Sequence, residues 1–195
     1  MPFADKLKIL VVPIYPVDFS LVLGLLPALK EMFFCDVLLE NTNHINLSFA
    51  YDNSRGQFNS TKIISLLSDR FKDFNGKVVG VISVDLFIPV LTYVFGEAQL
   101  GGKVSVVSTF RLNEIAYGLP ENKKLTQERL IKEVLHELGH NFGLLHCEDY
   151  LCVMHSSSTV EEVDLKSDRF CKNCKHKIDL ALSSQFNYHQ DGEQN

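Results

Sequence analysis

The sequence predicts an α/β fold, a sandwich built around a mostly parallel, twisted sheet, and three observations lead there. Short apolar runs alternate with longer segments patterned as helices, the signature of strands joined by helical crossovers. No internal repeat or low-complexity stretch interrupts that alternation. The chain has 195 residues, 46% of them hydrophobic, enough for one domain with a substantial core and too few for a second.

Lys8 to Tyr15, KILVVPIY, reads as a buried strand, and Asp18 to Phe33 as the helix after it. The stretch from Ile9 to Leu29 is apolar enough to suggest a signal or membrane segment. Pro13, Pro16 and Asp18 interrupt it, however, and no small-residue cleavage site follows. DVLL at Asp36–Leu39, KVVGVISV at Lys77–Val84 and KVSVVST at Lys103–Thr109 supply three further strands. Helices are expected at Ser60–Phe74, Thr126–Phe142 and Cys171–Ser183, with Thr126 capping the second of these. The terminal residues Asn187–Asn195 are polar and expected to fray.

The most informative stretch is HELGHNFGLLHC, beginning at His136. Stepping about 100° per residue from Ile131 puts Ile131, Val134, Leu135, Leu138 and Phe142 on one arc of a helix. His136 and His140, one turn apart, fall on the opposite arc and can close on one cation, with Glu137 beside them. Gly143 permits a sharp turn that returns His146 to the same point. Three imidazoles leave a fourth tetrahedral position for water, the mark of a catalytic zinc site. Glu137 is then placed to act as general base in peptide hydrolysis.

Cys147 follows the third histidine directly, Cys152 comes five residues later, and Cys171 and Cys174 form a CxxC pair. Four cysteines so spaced suit a closed, structural zinc. Two disulfides or a CxxC redox site are the alternatives; the first needs an oxidising compartment and the second a thioredoxin-like context. Cys35, between Phe34 and Asp36, reads as a buried thiol. His44, His176 and His189 have no spacing that commends them, and His155, beside Met154, is more simply a loop residue than an oxyanion stabiliser.

The long zinc motif, followed by Met154 in CVMHS, resembles the metzincin clan of zinc peptidases. CEDYLCVM and CKNC, with VDLFIPVLTYVFGEAQLGG upstream, resemble the archaemetzincin family in particular. The resemblance implies a compact metzincin-like sandwich with an active-site helix and a C-terminal, zinc-stabilised segment. It implies two zinc ions per chain: a catalytic one on His136, His140 and His146, with Glu137 as base, and a structural one on Cys147, Cys152, Cys171 and Cys174. Met154 would form the turn beneath the catalytic metal, and the implied activity is that of a peptidase, aminopeptidase-like in some members. By the same resemblance, Gly96, Glu97 and Ala98 lie on the antiparallel edge strand that holds substrate. An ordinary hairpin turning at Gly101 and Gly102 explains that segment equally well.

One domain over residues 1–195 is expected, with the sheet and active helix in 1–142 and the methionine turn and four-cysteine zinc site in 143–195. A formal charge of −5 and no basic run give no support for nucleic-acid binding. The expected partner is a peptide or protein substrate, with no membrane, and the chain is expected to be a monomer. A cytoplasmic location is expected, so the sequons at Asn46 and Asn59 carry little weight. Two rival readings remain: a zinc-stabilised peptide-binding scaffold with little turnover, which the presence of Glu137 argues against, and a thiol redox protein using Cys171 and Cys174.

Overall fold

The computed structural model describes residues 6–41 and 45–187. His44, His189 and the tail beyond residue 187 lie outside them. Strand β1 (Lys8–Pro13) is followed by α1 (Phe19–Phe33) and β2 (Asp36–Leu39). A small hairpin, β3 (Tyr51–Asp52) and β4 (Gln57–Asn59), leads into α2 (Ser60–Arg70) and then β5 (Lys77–Ile82). Next come β6 (Leu86–Phe87), β7 (Gly96–Ala98) and β8 (Val104–Ser108), and finally α3 (Lys123–Asn141), α4 (Val160–Leu165) and α5 (Lys172–Asn187).

The main sheet has the order β2-β1-β5-β8-β7, parallel except for β7, which runs antiparallel to β8 at one edge. Residues alternate in direction along a strand, so each central strand feeds two cores. Ile9, Val11, Val79, Val81 and Val107 join α1, α3 and the C-terminal segment on one face. Leu10, Val12, Val78, Ile82, Val104 and Val106 join Ile63, Ile64 and Leu67 of α2 on the other. Burial on both faces is why these strands read as continuous apolar runs.

The eight expected elements are present, with shifted ends. α3 begins at Lys123, not Thr126, because Asn122 is its cap and accepts a hydrogen bond from Leu125 N at 3.1 Å. Thr126 lies inside the first turn, its hydroxyl donating to Asn122 O. Asn59 likewise caps α2 by accepting from Lys62 N, so that sequon is occupied by the fold. The second, three-stranded sheet β3-β4-β6 and the short α4 were not expected. Among the described residues no helix is long and apolar enough to cross a membrane.

Candidate active site

The C-terminal half of α3 carries the histidines, and its end is anchored. Lys77 donates to Asn141 O (2.8 Å) and Gly102 O (2.7 Å) from beneath the Phe142 ring, and burial pushes its ammonium down to about 8. Asn141 Nδ2 donates to Gln99 O and Val104 O, each at 3.0 Å. The bond to Asn141 O satisfies a carbonyl that the helix end leaves bare, and the others tie α3 to the β7–β8 turn. Gly143 then adopts φ +88° while Leu144 N bonds back to Gly139 O, so the chain reverses and brings His146 over the helix.

One ring nitrogen from each of His136, His140 and His146 meets the others within 4.8 Å. His136 Nδ1 lies 2.8 Å from Val153 O, and His140 Nδ1 lies 2.7 Å from Leu144 O. A carbonyl oxygen can only accept, so each Nδ1 carries the proton and each Nε2 presents a lone pair. Those two Nε2 atoms stand 3.1 Å apart. Burial also pushes all three imidazoles below their ordinary range, His136 furthest. Neutral rings with facing lone pairs are disfavoured unless a cation lies between them, so the donor set fits a divalent metal with an affinity for nitrogen such as zinc.

Glu137 is 5% exposed and lies beside the triad. Burial raises its carboxyl well above the ordinary range, Glu133 and Glu97 add to the rise, and Lys166 opposes it. Glu133 in turn forms an ion pair with Lys166 at 2.8 Å, with both side chains almost wholly buried. The same ammonium reaches His155 O at 3.3 Å, so it bridges α3 and the loop after Met154. Met154 is fully buried, its sulfur filling the space left by the missing side chain of Gly139.

The Sγ atoms of Cys147, Cys152, Cys171 and Cys174 also gather within 4.8 Å and none is disulfide-bonded, a donor set that fits a tetrahedral thiolate zinc. This cluster adjoins the histidines covalently: Cys147 follows His146, and Cys152 precedes Val153, whose carbonyl orients His136. His155 turns to Cys147 O (2.8 Å) and packs at a tilt against Tyr150, serving to tie this loop together. Cys35 is buried, as expected, with burial pushing its thiol up to about 11.

A cleft of about 560 Å³ runs over the triad, lined by Gly96–Ala98 of β7, by Glu133, His136, Glu137 and His140 of α3, and by Leu145, His146 and Ser156–Ser158. β7 is an antiparallel edge strand and turns into β8 through Gly101 and Gly102. Glu97, however, sends its carboxylate to Ser60 Oγ (2.5 Å) and Thr61 Oγ1 (2.9 Å) at the start of α2, leaving its backbone as what it offers the cleft. The sequence reading passed over the Glu133–Lys166 pair. It also passed over Arg129, buried on α3 between Asp164 and Glu114. α4 did leave a legible signal: Glu162, three residues after Thr159, accepts from Thr159 N in a capping-box spacing.

A family model for peptidase family M54 matches residues 41–180. The archaemetzincin of Pyrococcus horikoshii is 43% identical over 136 residues, covering 69% of this chain and 72% of that protein. Among solved structures, the archaemetzincin of Archaeoglobus fulgidus superposes with a TM-score of 0.76 at 35% identity, over 88% of this chain and 99% of that one. A zinc-dependent peptidase from Methanocorpusculum labreanum gives 0.80 at 25% identity, over 87% and 99% respectively.

Proposed function

The chain belongs to peptidase family M54, the archaemetzincins, and from that premise we propose that it hydrolyses peptide bonds at the His136–His140–His146 centre, with Glu137 as general base. The observation that carries the proposal is the convergence of three ring nitrogens within 4.8 Å beside one buried carboxylate. Zinc held by those nitrogens would supply a Lewis acid for the scissile carbonyl and would lower the pKa of water at the site. Val153 O and Leu144 O hold the first two rings in the ligating tautomer. Glu137 takes a proton from the attacking water at its carboxylate and passes it to the leaving amine. Burial raises its proton affinity, which suits a group that must take up a proton and pass it on.

Substrate lies extended along the outer edge of β7, pairing its backbone with the free groups of Gly96–Ala98. Cys147, Cys152, Cys171 and Cys174 would hold the second zinc, which would fix the loop that carries His146 and Val153. The test counts metal and follows hydrolysis of free and N-blocked peptides by the wild type and Glu137→Ala. We expect two zinc ions in each protein and cleavage by the wild type alone, with a preference for free amino termini if trimming is aminopeptidase-like. Unchanged turnover in Glu137→Ala removes that residue from the mechanism, and a zinc-loaded wild type that cleaves nothing leaves a peptide-binding scaffold.

A further inference from the structure

The cleft has two unlike ends, ordered along α3. At the His140 end, Gly101 N bonds His140 O, so the β7–β8 turn sits over the end of the helix. There Leu100 and Leu145 line the cleft from its two sides, 59% and 68% exposed. At the Glu133 end the cleft is crossed. Tyr93, just ahead of β7, donates its hydroxyl to Ser158 O in the loop after Met154 at 2.7 Å, and both residues line the cleft.

The crossing is a built feature. The Tyr93 ring packs edge-on to Phe95 at 5.6 Å, and the Arg111 guanidinium lies 4.4 Å from its centre. That guanidinium is itself held by both oxygens of Asp85, at 2.8 and 2.6 Å. β7 runs from Gly96, opposite Glu137, toward Leu100 at the His140 end. A peptide pairing antiparallel to β7 therefore enters with its N-terminal side at Leu100 and Leu145, and its C-terminal side points at Tyr93.

We propose that the Tyr93–Ser158 hydrogen bond is a bar across the leaving-group side of the cleft. It admits substrates with few residues after the cleaved bond, and the open end takes bulky apolar side chains before it. Gly96 lies three positions after Tyr93, a span of roughly 10 Å for extended chain, which leaves room for about two residues beyond the bond. The proposal rests on the strand-addition reading above and adds the substrate class: short peptides, or the C-terminal ends of longer ones, in place of aminopeptidase-like trimming of long chains.

The test uses zinc-loaded full-length protein and peptides with a constant Leu-Leu segment before the bond and a lengthening polar segment after it, with products mapped by mass spectrometry. We expect kcat/KM to fall about tenfold once the second segment exceeds about two residues, on the scale of one lost hydrogen bond, and Tyr93→Phe to remove most of that fall. A flat dependence on length in the wild type, or a fall untouched by Tyr93→Phe, overturns the bar. Calorimetric binding of the same series to Glu137→Ala separates the two readings. If nothing is cleaved, the hydrolase proposal fails, while affinity that drops with length in Glu137→Ala and recovers in Glu137→Ala with Tyr93→Phe still supports the bar. Affinity independent of length refutes it.

Discussion

Gly96 on β7 and Glu137 on α3 are packed so closely that a Cβ on the glycine would stand 2.7 Å from Glu137 Oε1 and 2.9 Å from Val106 O. The β7 edge and the Glu137 carboxylate thus share one contact, and only a residue without a side chain fits. Gly96→Ala must push Glu137 or β7 aside. We predict a loss of kcat/KM greater than about tenfold, with zinc content unchanged and only a modest fall in Tm. Wild-type kinetics in Gly96→Ala would show that the carboxylate has more freedom than this packing allows.

The Lys166–Glu133 pair joins α3 to the loop after Met154 in surroundings that exclude water. Removing one member leaves a buried charge alone, which costs roughly 3–5 kcal/mol, whereas an apolar pair of similar volume is often neutral. Lys166→Met should therefore lower stability by about that amount in urea unfolding, and adding Glu133→Leu should restore much of it. A double variant no more stable than the single one would contradict the charge argument.

Gly139 and Met154 form a second contact that excludes a side chain, since a Cβ at Gly139 would collide with the Met154 sulfur. Gly139→Ala should destabilise the fold by about 1–3 kcal/mol through overpacking, while Met154→Leu, nearly equal in volume, should cost less than about 1.5 kcal/mol. Chemical denaturation of the two variants distinguishes steric fit from any special need for sulfur.

Burial lowers the folded-state pKa of His136, His140 and His146. In metal-free protein the neutral rings are accommodated above their ordinary value near 6.5. As pH falls below that value the unfolded chain binds protons that the folded one refuses, so stability is lost progressively toward the lower folded value. Glu137, whose pKa is raised, titrates in the opposite sense, so the measurement belongs in the Glu137→Ala background. Urea midpoints there should fall as pH drops below about 6.5, and added zinc should move the fall to lower pH.

The five thiols should differ in reactivity once metal is chelated. Cys171 is drawn down, chiefly by the backbone N–H of Cys174, while burial holds Cys35 up at about 11. Alkylation near neutral pH, read by mass spectrometry, should leave the four clustered cysteines unmodified in zinc-loaded protein. After chelation it should label Cys171 before Cys35. Rapid labelling of Cys171 with zinc bound would argue against its role as a ligand.

The long apolar runs at β1, β5 and β8 and the helices α1, α2, α3 and α5 were legible because burial on one or both faces imposes a repeating pattern on the residues. β3, β4 and β6 were not, since strands of two or three residues are too short to show a period. Thr126 was a plausible cap, but Asn122 sits four residues earlier, followed by the good helix formers Lys123 and Lys124, and the helix extends back to it. Arg129, Glu133 and Lys166 read as solvent-facing charges. Each is buried because another element supplies its counter-charge, and no local pattern announces that.

The spacing of His136 and His140 on one helix turn, the glycine turn that returns His146, and the grouping of four cysteines near them are local properties, determined by the order of residues alone. Tertiary structure decided that Gly96 would meet Glu137, that Val153 O would orient His136, and that Tyr93 would reach across to Ser158. A helix or turn brings near neighbours together by its own backbone geometry. Groups distant in sequence meet only where the packing of the sheet, α3 and the cysteine-bound loop leaves room for one arrangement of side chains.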